Sequence, residues 1–598
     1  MIEYLRLAFG TVVVLLPGLA LGRSVSEVVA WTMGAVFAAW AVVFAVHADI
    51  RLALGLLLAL AAVAFVARRR RVSDTFKVSD TGGVLAAGVV LGWLLWPVAG
   101  AIVGDGLFHE GRVRKLVDLG DLHLRTLDEF RDGGLHPGYA FPLWHCLDAL
   151  IAWVSGLDPS VVLRHESSLL APVALAVAWE AGVAVFRSRW AGATLALAQV
   201  AIFCFGPGHG GSYAQLAQPG TASRQILAPA AVALFFRRRY LPTALVFGAL
   251  ALVHSTYALF LLIPLLVVAA WEWRSYVAAV VPVGAVLLWL RPVVAETRSR
   301  NPSPVERATE LKHYGSQLVV SGPHHFRLAP EVFGRSGAVA VAALFLLPVV
   351  GLALPRRWAQ FVLGGSLLVL LLMEVPWLFV HFADATSLSQ ARRAAGFAPL
   401  PFAFAGALAL VVRRVVVVPL ALVAGIVLQR LWPGDFEYGL RHGGPAAATW
   451  GALVGGAAAL AVALLRRPRA PSERHGLAAA AAALFVLPVV VHGFWHWSAA
   501  APTDPNALSA RLVHELRTRV PEGSVVIAPV QTSYEIVAAA PLYVVAAPVS
   551  HVANTTANDP YARVHAVQRW LRTGDASIAR RYGATWAIRR GRLYRLPS

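Results

Sequence analysis

Long apolar runs separated by short polar segments fill the sequence up to about residue 498. Only helices and closed barrels satisfy all their backbone polar groups inside a bilayer. A helix needs about 20 residues to cross the hydrocarbon core, which is close to the length of these runs. We therefore expect an α-helical polytopic membrane domain over residues 1–498, with roughly 14–16 transmembrane helices.

The pattern changes over the last hundred residues. An amphipathic helix is predicted at 504–519, short apolar strands at 525–528 and 542–546, helices at 560–572 and 576–582, and an edge strand at 585–589. Such alternation of helices and strands is typical of α/β folds. The sequence therefore predicts a small extracytoplasmic α/β domain over residues 499–598.

Composition supports a membrane protein and excludes some functions. Of the 598 residues, 58% are hydrophobic and 14% are charged, whereas soluble domains average about 25% charged residues. The net charge of +20 is spread over short arginine clusters, which argues against a nucleic-acid-binding domain. Cys146 and Cys204 lie in apolar surroundings and cannot form a disulfide framework. The first apolar run has no basic segment before it and no small-residue cleavage site, so we expect no signal peptide.

Arginine clusters indicate which ends of the spans face the cytoplasm. They follow apolar runs at residues 68–71, 187–189, 237–239, 356–357, 413–414 and 466–469. The positive-inside rule places them all in the cytoplasm. The run at 84–104 then carries Asp105 to the outer face, provided that the short segment 142–156 is an interfacial or re-entrant helix. The outer loops are then 105–141, 206–224, 291–335, 381–396 and 431–446.

The first outer loop, 105–141, begins with GDGLFHEGRVRKL, so Asp105 stands where an apolar run ends and an amphipathic helix begins. An acid at the lipid–water boundary is costly and is commonly functional. Asp105 could be a general base for an acceptor hydroxyl, or it could only cap the helix that follows it. Glu110 could support a metal ion or a second proton, or be a solvated surface acid.

Histidines and aromatic residues fill the rest of this loop. His109 precedes Glu110, and His136 and His145 bracket the segment HPGYAFPLWH, which contains Tyr139. Its prolines and glycine predict a rigid turn. These four residues could position the acceptor or only anchor the loop. Further on, His254 separates two apolar runs, where a packed, hydrogen-bonded histidine is the alternative to a ligand.

Cations on the outer side suggest an anionic ligand. Arg224 closes the polar loop 206–224 and could bind phosphate bidentately, or extend to lipid headgroups. His209 in this loop is a weaker candidate. Arg392 and Arg393 lie in the outer loop 381–396, where the positive-inside rule expects few cations. The large loop 291–335 is expected to be mostly solvated. We find no zinc-ligand spacing, Walker loop, dinucleotide fingerprint or serine elbow.

An acid just after an early span, an amphipathic helix and a His/Pro/Tyr-rich turn together resemble the GT-C superfamily of membrane glycosyltransferases. That superfamily includes protein mannosyltransferases, aminoarabinose transferases and mycobacterial arabinosyltransferases. Its catalytic acid, usually one of an adjacent acidic pair, matches Asp105, although Gly106 stands where the second acid is expected and Glu110 would have to replace it. The segment QPGTASRQILAP (218–229) resembles the arginine-containing entry to a later span and maps to Arg224.

The resemblance implies an inverting transfer from a polyprenyl-phosphate-linked sugar to a glycan, lipid or protein acceptor, at the outer face of the cell membrane. Asp105 would be the base, and Arg224, Arg392 and Arg393 would bind the donor phosphate. A divalent metal, Mg²⁺ or Mn²⁺, is left open.

Two other classes compete with this hypothesis. A lipid or polysaccharide transporter or flippase would use the same cations for a headgroup, and intramembrane acids such as Glu180 and Glu374 for coupling. The absence of inverted repeats argues against it. A non-catalytic protein of envelope assembly would need Asp105 only as a helix cap.

Overall fold

The computed structural model describes residues 1–69, 78–206, 210–300, 304–434, 445–466, 469–497, 507–549 and 552–597. Within these ranges, ten helices are long and apolar enough to cross a membrane, and six further apolar helices are shorter. The prediction of an α-helical polytopic membrane protein is therefore confirmed. The number of 14–16 spans stays a prediction, because length and composition alone identify ten.

The helices of the first half run as follows: α1 Ile2–Leu21, α2 Val25–Val46, α3 Ile50–Arg69, α4 Val78–Leu95, α5 Asp105–Asp118, α6 Leu143–Ser155, α7 Pro159–His165, α8 Ser167–Phe186, α9 Arg189–Val200, α10 Pro219–Ala222, α11 Ala228–Phe236, α12 Tyr240–Val253, α13 Ser255–Leu266 and α14 Trp273–Arg300. The next are α15 Pro304–His313, α16 Ala338–Leu346, α17 Arg357–Ala359, α18 Gly365–Glu374, α19 Pro376–Thr386, α20 Leu388–Ala391, α21 Leu400–Val411, α22 Val417–Leu431, α23 Ala446–Trp450, α24 Gly456–Arg466 and α25 His475–Trp495.

Close helix packing in the bundle depends on small residues, as is usual where lipid supplies no hydrophobic driving force. Helices α4 and α8 pack along each other where Gly88 lies against Pro172 and Gly92 against the Ser168 backbone. Helix α4 ends at Leu95, shortly before Pro97, so the predicted span 84–104 is helical over only part of its length. The 13 residues of α6 are too few to cross a bilayer alone and are mostly buried, packed against α1 and α5.

Three consecutive arginines at the end of α11 each bind a buried glutamate. Arg237 lies 3.2 Å from Glu180, Arg238 lies 2.8 Å from Glu272, and Arg239 lies 2.6 Å from Glu27. Burial of a carboxylate is tolerated when a cation pairs with it. The arginine cluster at 237–239, which indicates topology by the positive-inside rule, therefore also forms ion pairs with α2, α8 and Glu272. The clusters at 68–71 and 466–469 lie partly outside the described residues.

The predicted loop 291–335 contains more regular structure than a loop, while most of its described residues are exposed or partly exposed, as the expectation of a mostly solvated loop requires. Helices α14 and α15 occupy its first half, and β1 (Leu318–Gly322) and β2 (His325–Leu328) form an antiparallel hairpin. Phe326 and Leu328 face inward and are almost completely buried. This alternation of inward apolar and outward polar residues in β2 fits the two-residue period of a half-buried strand.

The described residues of the C-terminal segment, 507–549 and 552–597, contain four α-helices and four strands: α26 Ala510–Arg519, β3 Val525–Ile527, α27 Ser533–Ala539, β4 Tyr543–Val544, α28 Pro560–Thr573, α29 Ala576–Arg581, β5 Ala584–Arg589 and β6 Arg592–Arg595. The sheet order is β4-β3-β5-β6, with β3 parallel to both neighbours and β6 antiparallel to β5. The prediction of an edge strand at 585–589 is wrong, because β5 lies inside the sheet and β6 forms the edge.

The two faces of this sheet have different neighbours. One face packs on α26, α27 and three residues of the segment 105–141, Leu107, Phe108 and Phe130. The other face is covered by α28 and α29 through Val567, Trp570 and Ala579. The amide of Val544 on edge strand β4 donates to the carbonyl of Glu129 at 3.0 Å. The C-terminal segment and the loop 105–141 therefore share one apolar core.

Candidate active site

The candidate site begins where the chain enters α5. Gly104 precedes the helix with φ +55°, a conformation that a residue without Cβ adopts readily. Gly104 is the N-cap, and Asp105 is the first helical residue, so the interpretation of Asp105 as the N-cap is wrong. Asp105 is exposed, and the amide nitrogen of Gln218 lies beside the next residue, 3.3 Å from where a Cβ on Gly106 would stand.

One helical turn after Asp105, His109 lies on the same side of α5, since residues four apart are neighbours on a helix surface. Its Nδ1 is 2.9 Å from Nε2 of His145 on α6. Both rings are almost completely buried. One nitrogen of this contact must donate and the other accept, so the contact fixes the tautomers of the two rings relative to each other.

Tyr139 completes this cluster from the turn at 136–139. Its ring centre lies 5.2 Å from that of His109, 5.7 Å from His145 and 5.3 Å from His136. Burial, together with the negative charge of Asp105, raises the pKa of Tyr139 to about 12, although the positive charge of Arg393 acts in the opposite direction. The phenol is therefore a neutral hydrogen-bonding group within electrostatic range of both charges.

Two cations from other parts of the bundle lie within electrostatic range of His254. Arg224 lies on a π turn, Ser223–Leu227, a distortion that is frequent at functional sites. Its guanidinium is 5.7 Å from the ring centre of Tyr257, and Arg393 and Arg224 both act electrostatically on His254. His254 joins α12 to α13 and stacks on Tyr257 at 3.5 Å. Arg393, like Arg224, is partly exposed.

Arg392, predicted to act with Arg393, has different neighbours. Its side chain is 6% exposed, its Nη1 donates to Oε1 of Gln317 at 2.9 Å, and its guanidinium lies 4.1 Å from the ring centre of Tyr314. The adjacent arginines therefore diverge. Arg393 faces the His–Tyr cluster, whereas Arg392 holds the segment that leads into the β1–β2 hairpin.

Glu110 also lies apart from Asp105, because five helical positions rotate a side chain by about 140°. It is 3.3 Å from Arg114, which binds Asp158 at 2.6 Å, and Asp158 binds Arg517 at 3.0 Å. Burial raises the pKa of Glu110 to about 7 even though Arg114 opposes the rise. Glu110 belongs to an ion-pair cluster between α5 and the C-terminal segment, on a different side of α5 from the histidines. The remaining predicted histidine, His209, lies outside the described residues.

A second charge cluster under the loop was missed from the sequence. Arg112 lies 3.3 Å from Glu129 and 3.9 Å from Asp128, and Lys115 donates to the Asp128 carbonyl. All four side chains are at most 4% exposed. Burial lowers the pKa of Lys115 to about 7 against the attraction of both acids. The sequence did contain a signal for this cluster. Asp128 and Glu129 are adjacent acids in the segment LDEF, and Arg112 and Lys115 lie three positions apart on the preceding helix.

Tyr534 on α27 is another residue that the sequence did not indicate. Its ring centre is 5.9 Å from that of Phe108, and it is within electrostatic range of Asp105 and Arg112. Burial raises its pKa well above the ordinary value, so it too is a neutral phenol. No local pattern could have found it, because α27 reaches α5 only in the folded chain.

The position of Tyr534 depends on how α27 is held. Nε of Arg114 donates to the carbonyl of Ala538, and Nε of Arg517 donates to that of Ala539 at 2.8 Å. Cations at a helix C-terminus satisfy its last carbonyls and complement its dipole. Asp158 binds both arginines, so one carboxylate links α7, α5 and the C-terminal segment.

No three His, Cys, Asp or Glu side chains in the described ranges gather closely enough to hold a metal ion. The Mg²⁺ or Mn²⁺ that the resemblance left open therefore has no ligand set there. The two acids of the transporter hypothesis have polar partners: Glu180 accepts from the Val25 and Ser26 amides and binds Arg237, and Glu374 binds Arg327.

Comparison with known proteins adds no relative. No protein-family model matches this sequence, and no curated protein is significantly similar to it. The arguments for function therefore rest on the residues and their arrangement.

Proposed function

We propose that this chain is an integral-membrane glycosyltransferase of the GT-C type. It would move a sugar from a polyprenyl-phosphate donor to an acceptor hydroxyl at the outer face of the cell membrane. One observation carries the proposal: Asp105 and Arg393 both act electrostatically on Tyr139, and Arg393 and Arg224 both act on His254, although these charges come from separate parts of the chain. A general base and cations that can stabilise a phosphate leaving group are the groups that such a transfer would use.

The proposed reaction is a single displacement. Asp105 accepts the proton of the acceptor hydroxyl as its oxygen forms a bond to the anomeric carbon of the sugar. The bond from that carbon to the phosphate oxygen breaks, and its electron pair leaves with the polyprenyl phosphate. Arg224 and Arg393 stabilise the negative charge that develops on the phosphate. Attack opposite the leaving group inverts the anomeric centre.

Neutral groups around the charges would orient the reactants. Tyr139 and Tyr534 both lie within electrostatic range of Asp105, and each phenol can donate one hydrogen bond and accept others. In the proposed complex they would hold the acceptor hydroxyl toward the carboxylate. The contact between His109 and His145 fixes the orientation of the His109 ring. This ring lies one helical turn after Asp105, on the same side of α5.

The membrane arrangement proposed here goes beyond the ten apolar helices. Counting as spans the four shorter apolar helices of 14–17 residues gives 14 transmembrane segments, the lower end of the 14–16 that the sequence predicts. Residues 499–598 would then form an extracytoplasmic α/β domain, and the donor would reach the site sideways from the bilayer. The partners would be a lipid-linked sugar, a glycan, lipid or protein acceptor, and the lipid bilayer.

Ion pairing supports an enzyme over a transporter. A coupling acid must exchange its proton or ion during transport. Glu180 instead caps the first turn of α2 and binds Arg237, and Glu374 binds Arg327. Each acid is therefore already bound to an arginine, and Glu180 also to backbone amides, which makes either acid a poor carrier.

The test is sugar transfer by the purified full-length protein in nanodiscs, with a panel of radiolabelled polyprenyl-phosphate sugars. Asp105→Asn is expected to lower turnover by about 10²–10⁴-fold, the usual contribution of a general base. Asp121→Asn is the matched control, since its side chain lies in the same loop and is 76% exposed. Donor binding should persist in both variants, because Asp105 does not bind the phosphate.

Two results would contradict the proposal. If wild type releases no sugar from any donor while binding one, the chain is not a transferase of this class. If wild type turns over a donor and Asp105→Asn is equally active, the transferase assignment survives but the base is wrong.

A further inference from the structure

The junction between α12 and α13 carries a histidine with one nitrogen engaged by its own neighbours. His254 is 7% exposed and stacks on Tyr257, with the ring centres 3.5 Å apart. Its Nδ1 lies 3.1 Å from Oγ1 of Thr256. The same hydroxyl donates to Oε1 of Gln390 on α20, at 3.2 Å. Neither the proposed base nor the proposed phosphate-binding groups include His254.

The hydrogen bonds of Thr256 determine which nitrogen of His254 carries the proton. A threonine hydroxyl has one proton to donate, whereas an amide oxygen can only accept. Because Thr256 donates its proton to Oε1 of Gln390, it has none for the imidazole. The contact at 3.1 Å is therefore a hydrogen bond from Nδ1–H of His254 to the hydroxyl oxygen. In a neutral imidazole, Nε2 is then unprotonated and has a lone pair that accepts a hydrogen bond.

Nearby cations favour the neutral form of this ring. Arg393 and Arg224 both act electrostatically on His254. Two further rings of the candidate site, His109 and His136, do the same. A second proton on the buried imidazole would add a positive charge beside two guanidinium groups, which both burial and repulsion oppose. Nε2 is therefore a hydrogen-bond acceptor beside two groups that only donate.

Nε2 is the remaining polar atom of the His254 ring. It has no hydrogen-bond partner within the ranges that the structure describes, although buried polar atoms usually have one. Thr256 occupies the Nδ1 edge of the ring, and the charged groups that act on the ring belong to the candidate site. An unused acceptor in this position indicates a ligand that donates a hydrogen bond.

The phosphate of the proposed donor does not meet this requirement, but its sugar does. Phosphate oxygens are negatively charged acceptors, which a nitrogen lone pair repels. Sugar hydroxyls each have a proton to donate. The hydroxyl at C2 is on the carbon next to the anomeric centre, so it is the ring hydroxyl closest to the phosphate ester. In the proposed complex that phosphate lies at Arg224 and Arg393, the two cations that act on His254.

We infer that Nε2 of His254 accepts a hydrogen bond from the C2 hydroxyl of the donor sugar and makes the site select donors that have this hydroxyl. The inference rests on the proposed transferase function. Thr256 is a positioning residue, because its oxygen holds the tautomer that presents the lone pair. Gln390 stands three residues before Arg393, so one segment would position a phosphate ligand and, through Thr256, the sugar ligand.

The experiment compares binding of donors with and without the C2 hydroxyl to the full-length protein in nanodiscs. Polyprenyl-phosphate 2-deoxyglucose is the counterpart of both the glucose and the mannose donor, and polyprenyl-phosphate 2-deoxyribose is that of the ribose and arabinose donors. The affinity ratio is the Kd of the deoxy counterpart divided by that of the complete donor. For the donor that binds most tightly to wild type, this ratio should be about ten, the usual effect of one neutral hydrogen bond.

Variants separate the hydrogen bond from the packing of the ring. His254→Phe keeps an aromatic ring on Tyr257 and should lower the affinity ratio to about one, because the acceptor is lost. Thr256→Val removes the oxygen that holds the tautomer and should lower the ratio to about three. Thr256→Ser keeps that oxygen and should restore the wild-type ratio. Thr386→Val is the matched control and should retain it, since the Thr386 hydroxyl donates to the Phe382 carbonyl at 2.8 Å.

The outcomes distinguish this inference from the proposed function. If wild type binds a donor with an affinity ratio near one, or if His254→Phe keeps the wild-type ratio, the inference is wrong whether or not sugar is transferred. If the ratio depends on His254 but no sugar is transferred, the inference stands and the transferase function fails. If wild type binds none of the four complete donors, both fail. Should circular dichroism show that His254→Phe misfolds, equal ratios in Thr256→Val and Thr256→Ser would overturn the inference.

Discussion

Replacing Glu110 with glutamine separates two roles for this acid. In the structure Glu110 is 5% exposed, lies 3.3 Å from Arg114, and feels the charges of Asp158 and Arg517. Glutamine keeps the size of the side chain and its hydrogen-bond acceptor but removes the ionisable proton. If Glu110 is a structural acid, the substitution should change the pH dependence of stability and leave sugar transfer almost unchanged.

The size and sign of the effect follow from the pKa. Burial, opposed only in part by Arg114, raises the pKa of Glu110 from 4.5 to about 7, which corresponds to about 3 kcal/mol. A raised carboxyl pKa means that the folded state holds its proton more tightly than the unfolded state. Its contribution to stability is therefore fully present below about pH 4.5 and is lost as the pH rises through about 7.

Hydrogen exchange of the amides of α5 and α27 in nanodiscs measures the local opening free energy across this range. In wild type, that free energy should fall by about 1–3 kcal/mol between pH 5 and pH 8 after correction for intrinsic exchange. Glu110→Gln should remove most of the fall. Glu515→Gln, a more exposed acid paired with Arg511 at 3.0 Å, is the control and should retain it.

Two results would refute this account. If the fall in opening free energy persists in Glu110→Gln, another group is responsible for it. If the variant keeps its hydrogen-exchange protection but loses sugar transfer a hundredfold or more, Glu110 is the second acid of the reaction and its ion pair is not its main role.

Two further predictions concern residues that border the site. Arg393→Gln should lower turnover about 10²–10³-fold in single-turnover assays with a saturating donor, as loss of a charge-stabilising donor does. Arg392→Gln should lower turnover less than tenfold, because Arg392 binds Gln317 and not the His–Tyr cluster; equal losses would contradict the divergence of the two side chains. Tyr534→Phe should raise the acceptor KM about tenfold with an unchanged melting temperature, whereas Tyr543→Phe, which loses a hydrogen bond to Thr126, should lower the melting temperature and leave KM unchanged.

Local features were the ones that the sequence predicted well. The start of α5 beside Asp105, the helices α28 and α29 and the junction at His254 follow from residue patterns within one or two turns. Periodicity and helix breakers act over such distances, so a single sequence contains their signal. The same reasoning located Arg224 at the entry to an apolar helix, where its guanidinium lies 5.7 Å from the ring centre of Tyr257.

Features that depend on distant partners could not be predicted. Nothing near Glu110 in sequence announces Asp158 or Arg517, and nothing in the LDEF motif fixes which cations meet its acids. The position of β5 inside the sheet depends on β6, which has only four residues. Glu374 looked like a free intramembrane acid because its partner, Arg327, lies on a hairpin that has no strong sequence signature.

The bond between Arg239 and Glu27 has a consequence for how the chain is made. The two residues are 212 positions apart, and ribosomes add about 5–20 residues per second. Glu27 is therefore added to the chain about 10–40 seconds before the arginine that binds it. During that interval Glu27 lacks its partner cation, and we expect it to remain at the water boundary. The early helices of this protein should therefore reach their final positions only after α11 and Arg239 have been synthesised. Stalling of the ribosome before residue 237 should leave these helices accessible to water-soluble carboxyl reagents.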